Sequence, residues 1–283
     1  LAFNNASHGF LVSRGCYNLV IRSNKAYNNT DATTSLAHGF VLDPGSAGSQ
    51  PSPDLDNVLE SNEAYNNEGY GLRIQAANNN QVRTNNFHDN QVGITVDQTS
   101  TGNTLDGNTV TKNATDGIVV RETADGNNLA NNLVSENGNN GIYLRSNQNV
   151  LTLNQATSNQ KEGIALWLPT GVPALQNNQL ISNTVSGNLD SGLDLRGATH
   201  TLLQGNLVEN NTTHGVYLTD GASQNSLVSN ILRTNKGYGI KANGLQTVGN
   251  TWSSNQISGN LTGGISLSSG ANGSLLAPQL TGV

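Results

Sequence analysis

Sulphur and charge are scarce in this chain. The single cysteine, Cys16, excludes an internal disulfide and any thiol-built metal cluster. Charged residues make up 11% of the sequence, and 13 lysines and arginines stand against 19 carboxylates, for a net charge of −6. With no basic run either, a nucleic-acid partner is not expected. No apolar stretch reaches about 18 residues, so no segment reads as a membrane-spanning helix. Hydrophobic residues are 34% and aromatics 5% of the 283 residues, too few for the core that a globular domain of this length would want. A solenoid, which needs only about four inward apolar positions per coil, tolerates that shortage.

Asparagine and glycine are abundant and regularly spaced. The stretch GNTLDGNTVTKNATDGIVV places Asn103, Asn108 and Asn113 five residues apart and then Gly117. NNLANNLVSENGNNGIYL repeats the frame at Asn127, Asn132, Asn137 and Gly141, and NSLVSNILRTNKGYGIKA repeats it at Asn225, Asn230, Asn235 and Gly239. Along the whole chain the closing glycine recurs at positions 9, 39, 71, 93, 117, 141, 163, 192, 215, 239 and 264, mostly 22 to 25 residues apart. A period in this range marks a repeat architecture and outranks any local assignment.

The unit reads N-x-h-x-x-N-x-h-x-x-N-x-x-x-G-h-x-h, where h is apolar. It predicts three very short strands per turn, with Leu105, Val110, Ile118 and Val120 and their equivalents facing inward. Asparagine suits the corners because it tolerates the left-handed region and can bond locally. Stacked on identical corners, its amides can form a ladder along the axis. The glycine permits a backbone that a side chain would forbid. Leucine-rich repeats, hexapeptide solenoids and calcium-binding nonapeptide rolls need motifs that are absent. The expected fold is therefore all-β: one parallel β-helix of about eleven coils over residues 1–275, then a linker over 276–283. At a strand spacing of about 4.8 Å the rod would be roughly 50 Å long.

This repeat resembles the right-handed parallel β-helix repeats of mannuronan C5-epimerases, alginate lyases and periplasmic NosD-type proteins. The resemblance covers residues 1 to about 272, and the matching residues are corner and core positions. It implies a secreted protein, extracellular or on a bacterial cell surface. The epimerases carry an Asp-Pro-His-Asp/Glu motif; here Asp43-Pro44 is followed by Gly45 where the histidine should stand.

Function on a solenoid lives in its outward residues and insertions. The outward columns of the third strand concentrate arginine and aromatics, and their candidate polysaccharide-binding residues are Arg73, Asp97, Arg121, Tyr143, Arg145, Trp167, Asp194 and Arg196. Arginine matches the carboxylates of uronic sugars, and aromatic faces suit sugar rings. The alternative for Asp97, Arg121, Asp194 and Arg196 is a solvated charge ladder. Two insertions, 43–57 and 167–178, leave the same corner five coils apart and would wall a trough at both ends. On the second strand, Tyr27, Tyr65 and His88 stack; Tyr65 and His88, with Tyr143 on the third strand, are candidates for an acid or base, or else an aromatic ladder. On the first strand, Arg22, Glu60, Arg83 and Asp106 alternate in charge. His8 and His38 adjoin, but no carboxylate joins them at metal-ligand spacing, so neither metal nor cofactor is expected.

Two functions fit. One is a non-catalytic extracellular rod or fibre module that binds polysaccharide. The other is a polysaccharide lyase or C5-epimerase acting on uronate polymers. LAFNN aligns with KAYNN at 25–29, so residue 1 enters mid-coil, and uncapped coils are expected to meet a neighbouring domain or further copies stacked end to end.

Overall fold

The structure, a computed structural model, describes residues 1–13, 15–31, 36–44, 55–167 and 175–274. Most of both insertions and the 276–283 linker lie outside the described residues. So do Gly45 and the walls of the expected trough.

The five-residue spacing is one strand plus one corner. Each coil contributes one strand to each of three parallel sheets, of ten, eleven and eleven strands. One mid-rod coil supplies Thr104–Asp106 to the first sheet, Thr109–Thr111 to the second and Ile118–Val120 to the third. Like stacks on like: Leu105 pairs with Val82 and Leu129, Val110 with Phe87 and Val134, and Ile118 with Ile94 and Ile142. Leu105, Val110, Ile118 and Val120 are each fully buried. Each buried leucine or valine is worth about 1.5–3 kcal/mol relative to exposure, so four per coil sustain a core that composition alone makes look thin.

The asparagines form three internal ladders. The middle one runs unbroken from Asn24 to Asn255, and a second runs from Asn5 to Asn260. The third runs from Asn57 to Asn272 and is interrupted once, where Thr201 replaces asparagine. In most rungs the backbone N and the Nδ2 of one asparagine donate to the Oδ1 of the next, as Asn108 does to Asn132 at 3.0 Å in both cases. The second Nδ2 hydrogen goes the other way, from Asn108 to the Val82 carbonyl oxygen of the preceding coil at 2.9 Å. Every polar atom of the amide is thus used inside the rod.

Two local expectations are corrected. The left-handed corner residue is the one before the ladder asparagine: Gly107 precedes Asn108, Lys112 precedes Asn113 and Leu153 precedes Asn154, with φ of 63°, 55° and 56°. The ladder amide needs an ordinary backbone to aim both its own N–H and its side chain at the next rung, so the preceding residue makes the turn. The closing glycine is also not left-handed. A Cβ on Gly117 would sit 2.6 Å from Gly141 O and 2.7 Å from Asn137 Nδ2. Close approach of the next coil, not a forbidden dihedral, requires the glycine.

Candidate functional site

The outer faces of the three sheets differ. On the first, Glu60 accepts Arg22 at 3.3 Å and Arg83 at 2.8 Å, as the alternating charges suggested, while Asp106 accepts Asn131 Nδ2 at 2.8 Å instead. On the second, Phe3, Tyr27, Tyr65 and His88 stack with ring centroids 5.0, 4.9 and 5.1 Å apart. Lys25 and His88 flank Glu63 at 2.7 and 3.3 Å, and the lysine hydrogen bond holds the Glu63 carboxyl below its usual range. The candidates Tyr65 and His88 therefore belong to one aromatic stack, on a different sheet from Tyr143. The structure does not bring the three together.

The third sheet carries the candidate binding residues in two adjacent columns. Parallel register stacks Arg73, Thr95, Val119, Tyr143, Ala165 and Asp194 in one. Gln75 pairs with Asp97, and Trp167 with Arg196, in the next. Arg121 and Arg145 continue that second column, their backbone N–H groups donating to Val96 O and Val120 O. The eight residues share one face, but as two clusters with Arg121 between them. Asp97 and Asp194 stand four coils apart, about 19 Å at ordinary strand spacing.

The first cluster centres on Asp97, whose Oδ2 accepts Arg73 Nε at 3.1 Å and Nη2 at 3.0 Å. Burial outweighs this arginine and pushes the Asp97 carboxyl up. The second cluster is larger. Tyr143 and Trp167 lie 5.0 Å apart, with the Arg145 guanidinium over Tyr143 and the Arg196 guanidinium over Trp167. Arg145 pairs with Glu122. Arg196 reaches Asp194 at 2.7 Å and Glu162 at 3.4 Å. Burial pushes the Asp194 carboxyl up to about 7 and the Tyr143 phenol up to about 12.

This face is not a solvated ladder. Asp97 is 6% exposed, Asp194 1%, Thr95 0% and Tyr143 8%. Exposed ion pairs contribute little, but buried charges are costly unless fully bonded. Here the bonding is incomplete. Seven buried polar side-chain atoms lack a partner among the described residues: Gln75 Oε1, Thr95 Oγ1, Asp97 Oδ1, Asn140 Oδ1, Arg145 Nε, Trp167 Nε1 and Asp194 Oδ1. All belong to third strands or the residues beside them, and no ladder asparagine is among them. Each such atom costs about 1–3 kcal/mol, and the cluster marks where a bound group would offset that cost.

Sequence reasoning missed Glu162, Glu122 and Asp116. For Glu162 and Asp116 the signal was the column just before each glycine, which also holds His8, His38, Tyr70, Asn140 and His214, whereas Glu122 follows the third strand, next to Arg121. In that column Asp116 accepts Asn139 Nδ2 at 2.8 Å and Asn140 N at 3.0 Å, and burial raises its carboxyl. The histidines there are structural. His8 Nδ1 accepts His38 N, His38 Nδ1 accepts Tyr70 N and His214 Nδ1 accepts Tyr238 N, at 3.1, 2.9 and 3.0 Å. Burial lowers His38 to about 3. No group of three or more histidine, cysteine or carboxylate side chains at metal-binding range occurs among the described residues.

A family model described as "Right handed beta helix region" matches residues 47–180 and 168–277. Among solved structures, a double mutant of the periplasmic alginate epimerase AlgG is similar with a TM-score of 0.70 at 18% identity; the match covers 92% of this chain and 61% of that one. The chain thus spans about three fifths of the length of that epimerase. The A-module of the Azotobacter vinelandii mannuronan C-5 epimerase AlgE4 is similar with a TM-score of 0.70 at 18% identity, covering 92% of this chain and 76% of that one. A tailspike protein mutant of E. coli bacteriophage HK620, in complex with a pentasaccharide, has a TM-score of 0.60 at 8% identity, covering 92% of this chain and 54% of that one. At these identities the likeness is one of fold. No curated protein sequence matches the chain.

Proposed function

The chain belongs to the right-handed β-helix family, and on that premise we propose that it is a polysaccharide-binding rod whose binding face is the outer surface of its third sheet. The observation that carries this reading is the set of orphaned buried polar atoms along that face, four of which (on Asn140, Arg145, Trp167 and Asp194) lie at or one coil from the Tyr143–Trp167 pair. Sugars supply both complements: hydroxyls for the polar atoms and a C–H face for the rings. The neighbours that the fold resembles include epimerases named for alginate and mannuronan and a tailspike bound to a pentasaccharide, which supports the same substrate class. Placement outside the cell and end-to-end contact with a neighbouring module or another copy belong to the proposal.

Lyase or epimerase chemistry is the weaker reading. It needs a base that loses its proton near neutrality beside a free cation. Tyr143 is raised to about 12 by burial and Arg145 beside it is engaged by Glu122, while Asp194, whose carboxyl is raised to about 7, has Arg196 beside it already held by that carboxyl and by Glu162. Appearance of unsaturated uronate product, or of inverted C5 protons by NMR, would restore it.

A glycan array followed by titration with the strongest ligand tests binding. Trp167→Ala should weaken affinity tenfold or more, a change of about 1.4 kcal/mol. Arg233→Ala on the second sheet should leave it unchanged. An empty array, or equal loss in both variants, ends this reading.

A further inference from the structure

Resting on the polysaccharide reading, we propose that the third-sheet face takes a neutral, hydroxyl-rich glycan rather than a uronate polymer. Arg73 is held by Asp97, Arg145 by Glu122, and Arg196 by Asp194 and Glu162. Only Arg121 of the four forms no ion pair among the described residues, and its Nη2 donates to Tyr70 OH at 3.5 Å. The carboxylates sequence reading overlooked have consumed the guanidiniums that a uronate would need. Three of the four guanidiniums are thus occupied, and a sugar carboxylate would find only Arg121 outside an ion pair among the described residues.

The orphaned atoms point the same way. Asp97 Oδ1, Gln75 Oε1 and Asn140 Oδ1 are acceptors without a donor. Every sugar hydroxyl brings a donor, and a neutral sugar carries a hydrogen or a hydroxymethyl group where a uronate carries a carboxylate, which brings only acceptors. Thr95 Oγ1 takes either role. Asp194 Oδ1, on a carboxyl raised to about 7, offers donor or acceptor with pH. Arg145 Nε and Trp167 Nε1 are donors and match hydroxyl oxygens equally well. A site that rejects ligands lacking its complement does so because its own buried groups stay unpaired. The tilted Tyr143–Trp167 pair, with rings 33° apart, adds a platform that recognises ring faces irrespective of charge.

The test compares two panels on the intact chain. One is neutral: dextran, mannan, galactan and xylan. The other is sodium alginate and polygalacturonate. The expected result is binding within the neutral panel, with affinity changing less than about twofold between low and high salt. Gln75→Leu and Thr95→Val remove orphaned atoms with little change of shape. Each should weaken that binding about tenfold while the melting temperature of the unliganded protein holds or rises, because an unpaired buried group has been deleted. Salt-sensitive binding of the uronate polymers alone would overturn this inference and leave the polysaccharide reading standing. Binding to neither panel would overturn both. A fall in melting temperature with unchanged affinity would show the orphaned atoms to be structural.

Discussion

Removing one rung from the middle of an asparagine ladder tests what holds the rod together. Asn132 Oδ1 accepts Asn108 N and Nδ2, each at 3.0 Å, and Asn132 Nδ2 donates to Leu105 O and to Asn154 Oδ1, each at 2.9 Å. Asn132→Ala deletes these four bonds and keeps the one from Asn132 N to Asn154 Oδ1. At about 1 kcal/mol net per bond the loss is about 4 kcal/mol. At the first rung, Asn24 Nδ2 donates to Arg22 O at 2.9 Å and to Asn62 Oδ1 at 3.4 Å, and Asn24 Oδ1 accepts no hydrogen bond among the described residues. Asn24→Ala should therefore cost about 1 kcal/mol or less. Urea titrations of both variants, read as midpoint at constant slope, measure the difference. If the two lose equal stability, the ladder bonds are not what the interior rungs contribute, and burial of the strands alone sustains the fold.

Gly117→Ala places a methyl against Gly141 O and Asn137 Nδ2 and should destabilise by about 1–3 kcal/mol, whereas Gly126, with nothing within 4 Å but a φ of 69°, should lose about 1 kcal/mol on the same change; thermal melts compare them. Thr201→Asn should restore the missing rung by giving Asn178 N an acceptor, and raise stability by about 1 kcal/mol, with a lowered urea midpoint as the refuting result. Asp194, raised to about 7 from its ordinary 3.8, holds a proton in the folded chain that the unfolded chain releases. Its contribution is fully present below pH 3.8 and is lost as pH rises through about 7, so Asp194→Asn should flatten the fall in melting temperature across that window. His38, lowered from 6.5 to about 3, works oppositely: its contribution is present above pH 6.5 and is lost as pH falls toward 3, and it remains in the variant.

The fold was legible because a solenoid writes each structural requirement once per coil. Leu105, Val110, Ile118 and Val120 were placed inward by spacing alone. The residue that takes the left-handed turn was not legible, because Lys112, Glu136 and Leu153 carry no turn signature. There the ladder overrides local preference, and the backbone cost is offset by the rung that follows. The columns of the candidate face were legible through register, which fixes neighbours once the coil boundaries are known. Their electrostatic state was not. Whether Asp194 is solvated or buried depends on what packs over the sheet, and no period encodes that. Glu162 was overlooked because only positions after the glycine were read, although the residue before it contributes to the same face.

The rod applies two standards to buried polar groups. Inside, from Asn24 to Asn255, the amides of the middle ladder are bonded from coil to coil, so the interior tolerates little change. Outside, on one sheet of three, seven polar side-chain atoms are buried without partners among the described residues. A chain that satisfies its interior amides this thoroughly has ready means to satisfy the others: Thr95 could be valine and Gln75 leucine at no loss of packing. On the binding proposed above, the polar atoms kept at those two positions serve the ligand rather than the fold. The outward columns can vary without disturbing the ladders, because register is set by corners and core. That separation lets one fold carry different faces, and the proposed binding face draws on Gln75, Thr95, Asp97, Trp167 and Asp194 rather than on the asparagines that dominate the sequence.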